Sequence, residues 1–241
     1  MTRDDLLFID DVNTYYGESH ILYDVTLSVQ ENNVVALLGR NGMGKTTLMR
    51  SITGIQPPRS GTIWYRGEDI TDLPIHERSR RGISLVPQER RIFPNLTVEE
   101  NLNLADVEED DAWTIQDIYE LFPRIEEREG QDGYSLSGGE QQMLSVSRAL
   151  LQNTDLLLLD EPFEGLAPII IDDLSAGLQT IVEENVTVLI AAQILEEALA
   201  LADQSYILED GGIVYEGDAS ELLADEQSQR QHLGITETVA E

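Results

Sequence analysis

Apolar and polar positions alternate through residues 6 to 29, as LLFIDDV and then ILYDVTLSV, with the turn-like stretch Tyr16 to Ser19 between them. A period of two turns one face to a core and the other to water, so the pattern predicts antiparallel strands. Val34 to Gly39, VVALLG, is instead a short unbroken apolar run ending in glycine, as expected of a strand covered on both faces. DLLLLDE at Asp155 to Glu161 and VTVLIAAQ at Val186 to Gln193 repeat that pattern, and the helical stretches around them predict a parallel α/β core. Residues 61 to 86 predict two further strands, GTIWYRGEDI and RGISLVP, separated by an arginine-rich helix over Pro74 to Arg81. From Asn95 to Arg128 apolar residues recur at three- and four-residue steps among acidic ones, which predicts a helical lobe. SYILEDGGIVYEGD predicts a hairpin about Gly211 and Gly212, and the polar tail after about Gln227 is expected to fray.

A chain of 241 residues, 41% hydrophobic and 25% charged, is most simply one globular domain with a small inserted lobe. The boundaries expected are a core from residues 1–90 and 150–230, a helical lobe from 95–150, and a polar tail from 228–241. Charge changes the picture. There are 46 acidic and 15 basic residues, a net charge of -31, and Lys45 is the sole lysine. Such a field repels phosphate backbones and argues against nucleic acid as a partner. Acidic chains almost devoid of lysine are typical of halophile cytoplasm, where salt screens the self-repulsion. No apolar run approaches the roughly 18 to 20 residues of a membrane helix, and MTRDDLLFIDDV lacks the plan of a secretion signal, so a cytoplasmic address is expected. The absence of cysteine excludes disulfides, thiolate metal sites and cysteine nucleophiles.

Gly39 to Thr46 reads GRNGMGKT, which is glycine, four residues, glycine, lysine and threonine, after a predicted strand and before a predicted helix. Glycines let successive N–H groups curl inward around phosphate oxygens, and the helix N-terminus adds roughly half a positive charge. Lys45 can then reach the β and γ phosphates of ATP while the Thr46 hydroxyl ligates Mg²⁺. Retaining a single lysine here points to a role for a compact point charge that arginine could not fill. DLLLLDE places Asp160 at the C-terminal end of a buried strand, where doubly wound sheets bind ligands. Asp160 is the expected Mg²⁺ partner, and Glu161 the group expected to polarise the attacking water.

Between these motifs lies LSGGEQQ, Leu136 to Gln142. Phosphate loop, LSGGEQQ and the Asp160–Glu161 pair together resemble the ATP-binding cassette (ABC) ATPase family, and the resemblance covers essentially the whole chain. It implies an α/β P-loop NTPase with a parallel core sheet, an N-terminal antiparallel β subdomain and a helical subdomain. It implies ATP held by Gly39, Arg40, Asn41, Gly42, Gly44, Lys45, Thr46 and Thr47, with Ser137, Gly138 and Gly139 closing on ATP held by a second subunit. Gln88 in LVPQ resembles the glutamine that meets Mg²⁺ and the attacking water and senses the membrane partner. Tyr16 resembles the aromatic that stacks on adenine, with Tyr15 as a rival, and EGLA at Glu164 to Ala167 resembles the stretch crossing the dimer interface.

Two positions depart from the family pattern. Gln193 stands where most members have a histidine after the strand following Asp160–Glu161, and His20, His76 and His232 are not placed to substitute. Gln193 can hydrogen-bond a γ phosphate but cannot become a cation. Asn32 and Asn33 replace the usual Gly-Glu, and asparagine tolerates the left-handed turn that glycine would make. GRNGMGKTT, VPQERRIFPNLTVEENL, LSGGEQQM, DEPFEGLAP and Gln193 look most like the shorter ATPase of branched-chain amino-acid (Liv-type) importers, with urea and short-chain amide importers a close cousin. The resemblance thus implies permease subunits, a second ABC ATPase, and indirectly a periplasmic-type binding protein. A soluble ABC protein of DNA repair or translation, and a non-hydrolysing scaffold, are the rival classes. Arg78, Arg80, Arg81, Arg90 and Arg91 cluster in sequence, either paired with carboxylates such as Glu77 and Glu89 or, with Phe93 and Pro94, facing a membrane subunit or anionic lipid.

Overall fold

The structure is a computed structural model and describes residues 5–107, 112–193, 195–225, 227 and 229. The alternating N-terminal segments form β1 (Asp5–Tyr16) and β2 (Ser19–Gln30), antiparallel from Asp5 opposite Gln30 to Tyr16 opposite Ser19, with register shifts along the ladder. Asn32 turns the chain with a left-handed φ of 61°, and β3 (Val34–Leu38) begins two residues later. Next come α1 (Lys45–Ile52), β4 (Ser60–Tyr65), β5 (Glu68–Asp69), α2 (Ile75–Ser79) and β6 (Ile83–Val86). The helical region contains α3 (Val98–Asn103), α4 (Ile115–Leu121), α5 (Pro123–Glu126) and α6 (Gly138–Leu150). The chain continues through β7 (Leu156–Asp160), α7 (Pro168–Glu183), β8 (Thr187–Ala192), α8 (Leu195–Leu201), β9 (Gln204–Glu209), β10 (Gly212–Asp218) and α9 (Ala219–Ala224).

Two sheets result. One is antiparallel, in the order β2-β1-β4-β5; the other runs β10-β9-β3-β8-β7-β6, parallel except for β10 at its edge. The unbroken apolar runs form the middle of the parallel sheet because both of its faces are covered. Val34, Ala36 and Leu38 join a core with α6 and α7, while Val35 and Leu37 join a second core with α1 and the antiparallel sheet. β7 divides likewise, Leu157 and Leu159 to the first core and Leu156 and Leu158 to the second. All four leucines are fully buried, so truncating any one to alanine would cost about 2–5 kcal/mol.

The helical region is more broken than its apolar periodicity predicts. Thr97 and Thr114 each start a new helix with a reciprocal capping box, to Glu100 and Asp117 respectively. Pro123 at the first turn of α5 cannot donate into α4, which ends at Leu121. Except for Gln229, the polar tail at 228–241 lies outside the described residues. No helix among the described residues is long and apolar enough to cross a membrane.

Candidate nucleotide site

The phosphate loop fills the turn between β3 and α1. A Cβ on Gly39 would overlap the carbonyl oxygen of Leu208, so the loop leaves the sheet by passing against β9. Gly44 caps α1 with φ 111°, a conformation other residues rarely adopt, and a Cβ there would stand 2.8 Å from Leu22 Cδ2. It offers no side-chain cap, and the first turn of α1 carries no acidic residue. The leading N–H groups of the helix are therefore without a carboxylate or hydroxyl of their own, as anion binding at a helix N-terminus requires.

Lys45, only 5% exposed, folds back over this loop. Its ammonium donates to Gly39 O at 2.6 Å and Arg40 O at 3.3 Å and pairs with Glu161 Oε1 at 3.0 Å. Glu161 follows the last residue of β7 with a left-handed φ of 52°. Its backbone N–H donates to Ala191 O at 2.8 Å, and its Oε2 accepts from the Gln193 backbone N–H at 2.9 Å. Gln193 thus meets Glu161 through its main chain, with an exposed side chain.

Asp160 is buried beside Thr46. Burial pushes its carboxyl above the ordinary aspartate range and Glu161 adds to the rise, against the Thr46 hydrogen bond and the charges of Lys45 and Arg50. Its Oδ1 has no hydrogen-bond partner. An orphaned, buried carboxylate oxygen next to a threonine hydroxyl fits a hard divalent cation. Among the described residues no cluster of three His, Asp or Glu side chains could hold a metal ion by itself, so a cation here would need phosphate oxygens as well.

Thr46 and Asp160 also line a cavity of about 520 Å³, together with Gln88 and Arg50. The Gln88 side chain donates to Glu164 Oε2 at 2.6 Å, so Gln88 contacts the EGLA stretch rather than Asp160. A larger cavity of about 850 Å³, between α4, α5 and α7, contains none of the expected site residues.

Ser137 to Gly139 stand apart: among the described residues no hydrogen bond or ion pair joins them to Gly39–Thr47. Ser137 caps α6, its Oγ accepting from Glu140 N at 3.3 Å and its N–H donating to Glu140 Oε2 at 2.7 Å. A Cβ on Gly139 would overlap Ile170, and one on Gly138 would displace the Arg90 guanidinium that lies against it.

The two tyrosines separate cleanly. Tyr15 stacks on the His20 ring at 3.9 Å, with the Arg59 guanidinium 4.2 Å from its centroid, whereas Tyr16 is 39% exposed. Tyr16 OH accepts from Arg50 Nη1 at 3.4 Å. Arg50 carried no motif and was invisible in the sequence; its only signal was its place on the helix that Lys45 starts.

The arginine cluster disperses. Arg81 pairs with Glu68 and Glu77, and Arg91 with Glu89 at 3.7 Å. Arg78 fits neither expectation: it is 1% exposed and donates to the carbonyls of Ser51, Ile52, Thr71 and Leu73. It closes the C-terminal end of α1, the helix whose other end is the phosphate loop.

Comparison with known proteins identifies the family. The family described as "ABC transporter" matches residues 22–164. The high-affinity branched-chain amino acid transport ATP-binding protein BraG of Pseudomonas aeruginosa is 43% identical, the match covering 95% of this chain and all of that one. The lipopolysaccharide export system ATP-binding protein LptB of Escherichia coli is 37% identical, over 91% of this chain and 93% of that one. A nucleotide-free ATP-binding cassette from an ABC transporter superposes with a TM-score of 0.82 at 26% identity, covering 97% of this chain and 100% of that one. With a phosphate loop, an Asp160–Glu161 strand end and a capped Ser137 loop on one α/β frame, the chain belongs to the ABC transporter family as an ATP-binding, ATP-hydrolysing subunit.

Proposed function

We propose that this subunit energises an importer of branched-chain amino acids, working as one of two ATPases beneath a membrane permease. The Lys45–Glu161 pair at the end of β7 carries the motor part of this reading, and the 43% identity to BraG over its full length carries the substrate. Lys45 leaves Glu161 for the β and γ phosphates, which frees the carboxylate to orient and deprotonate water. Thr46 and Asp160 hold Mg²⁺, which when bound neutralises developing charge on the phosphates. Gln88 moves from Glu164 toward that water, and the Gln193 backbone N–H keeps Glu161 aimed. Tyr16 offers its open face to adenine. Each Ser137 loop completes the site of the opposite subunit, so the sandwich holds two ATPs. The assembly sits at the inner face of the membrane, with a periplasmic-type binding protein delivering substrate to the permease.

The composition further supports work in high salt, so hydrolysis is to be measured in molar KCl. Deleting the gene and following radiolabelled leucine uptake tests the substrate. Loss of uptake, restored by the wild-type chain and not by Glu161→Gln, is expected. Intact leucine uptake with a lipid-export defect would instead favour the second reading, which the likeness to LptB supports. Urea and short-chain amides are the importer alternative, and the same assay with labelled urea separates them.

A further inference from the structure

The loop after Gln88 is wound in a strained way. Arg90 and Arg91 both have positive φ, 60° and 44°, and the Arg91 N–H donates back to Glu89 O at 2.6 Å. A hydrogen bond from residue i+2 to residue i around a positive φ is the rare, strained form of γ-turn. Such a turn persists only where its surroundings hold it.

Two side chains of α6 grip it. Ser145 Oγ donates to Arg90 O at 2.6 Å, and Arg148 Nη1 donates to Arg91 O at 2.9 Å, so consecutive carbonyls are held from one helix. Arg148 has no carboxylate partner among the described residues, although the chain carries 46 acidic residues. Its guanidinium lies 4.6 Å from the centroid of the Phe93 ring, and its Nε is buried without a partner. Arg148 therefore does not serve as an ion-pair partner; its contacts are with the turn. At the start of the same helix, the Arg90 guanidinium lies against Gly138.

We propose that Ser145 and Arg148 are positioning residues for Gln88, holding the Arg90–Arg91 turn wound and thereby fixing where the glutamine amide can reach. This rests on Gln88 serving in turnover. Because α6 begins at the Ser137 loop, the grip also makes that loop and the Gln88 loop move as one body.

The test uses steady-state ATPase assays on the full chain with its partner ATPase. Arg148→Gln is expected to lower kcat roughly tenfold or more while KM for ATP stays within about twofold, the mark of misplacement rather than lost binding. Arg148→Lys keeps one donor for the Arg91 carbonyl and is expected to recover part of the loss. Adding Arg91→Gly to Arg148→Gln is the deciding variant, because glycine adopts positive φ without help and should restore much of kcat. Wild-type kcat in Arg148→Gln, or a loss that Arg91→Gly leaves untouched, would overturn the proposal and reduce Arg148 to packing. If Arg148→Gln fails to fold, Ser145→Ala with and without Arg90→Gly puts the same question at the neighbouring carbonyl. Gln88→Ala keeps the two readings apart: wild-type turnover there sinks the role of Gln88 itself, however Arg148 behaves.

Discussion

The phosphate loop and the Ser137 loop are both glycine-rich starts of helices, yet they meet their own N–H groups in opposite ways. α1 begins at Gly44 with no side-chain cap, and its cation is parked on Glu161. α6 begins at Ser137 with a complete capping box to Glu140, itself paired with Arg128 at 3.0 Å. The first loop is open to an anion within its own subunit. The second spends its hydroxyl and the Glu140 carboxylate on the Ser137 and Glu140 N–H groups, and in the proposed assembly it meets phosphate carried by another subunit. The proposed reading makes one site intrinsic and the other conditional on assembly.

Among the changes that distinguish the two loops, the most damaging should be Lys45→Ala. It removes the charge aimed at phosphate and leaves Glu161 buried without its partner, so hydrolysis should fall by at least about 10³-fold. Fluorescent-nucleotide binding by the isolated subunit should weaken in parallel, and retained binding would contradict the intrinsic character of this loop. Glu161→Gln should lower hydrolysis by about 10²–10⁴-fold yet leave nucleotide binding intact, since it also releases Lys45 from competition. Phosphate release and equilibrium binding measured together separate the two variants.

Ser137→Ala tests the other loop. Losing the cap should cost about 1 kcal/mol, a drop in melting temperature of roughly 2–4 °C, while ATP binding to the isolated subunit is unchanged and turnover of the assembled pair falls. Weakened binding in the isolated subunit would break the contrast between the loops.

The smallest effects are in pH dependence, and their signs differ. Asp160 is raised by burial, so the folded state holds its proton to higher pH than the unfolded one. Its penalty grows as pH rises through the carboxylate range and is full above the folded pKa. Asp160→Asn should therefore raise the melting temperature of the metal-free protein at neutral pH and lose that advantage in acid. For Glu140, burial pushes upward, but the bonds from Ser137 and Arg128 outweigh it and hold the carboxyl below its usual range. Its contribution is present above the unfolded pKa and is lost as pH falls through the folded one. Glu140→Gln should thus melt lower at neutral pH and match the wild type in acid. Calorimetry across pH checks both slopes.

Much of the frame was legible in the chain because periodicity reports burial directly. VVALL, LLLLD and TVLIAA are apolar at every or nearly every step, and only a sheet covered on both faces buries such runs. The helical region was less legible, since capping boxes at Thr97 and Thr114 and Pro123 interrupt a pattern that apolar spacing alone would continue. At the site, Lys45, Thr46 and Asp160 were readable from motif and context. The parking of Lys45 on Glu161, the hold of Glu164 on Gln88 and the closure of α1 by Arg78 were not. Each joins residues far apart in the chain, and no local pattern encodes such a partner.

The sequence by itself determined the strands of the parallel sheet, the phosphate loop and the acidic strand end, because each depends on a short run of residue types. Tertiary structure decided which of two tyrosines keeps an open face, which arginine is buried, and that α6 grips the Gln88 loop through two consecutive carbonyls. Those outcomes depend on which surfaces the packing of the two sheets and the α-helices brings within 3 Å or so of each other, at the range where hydrogen bonds form.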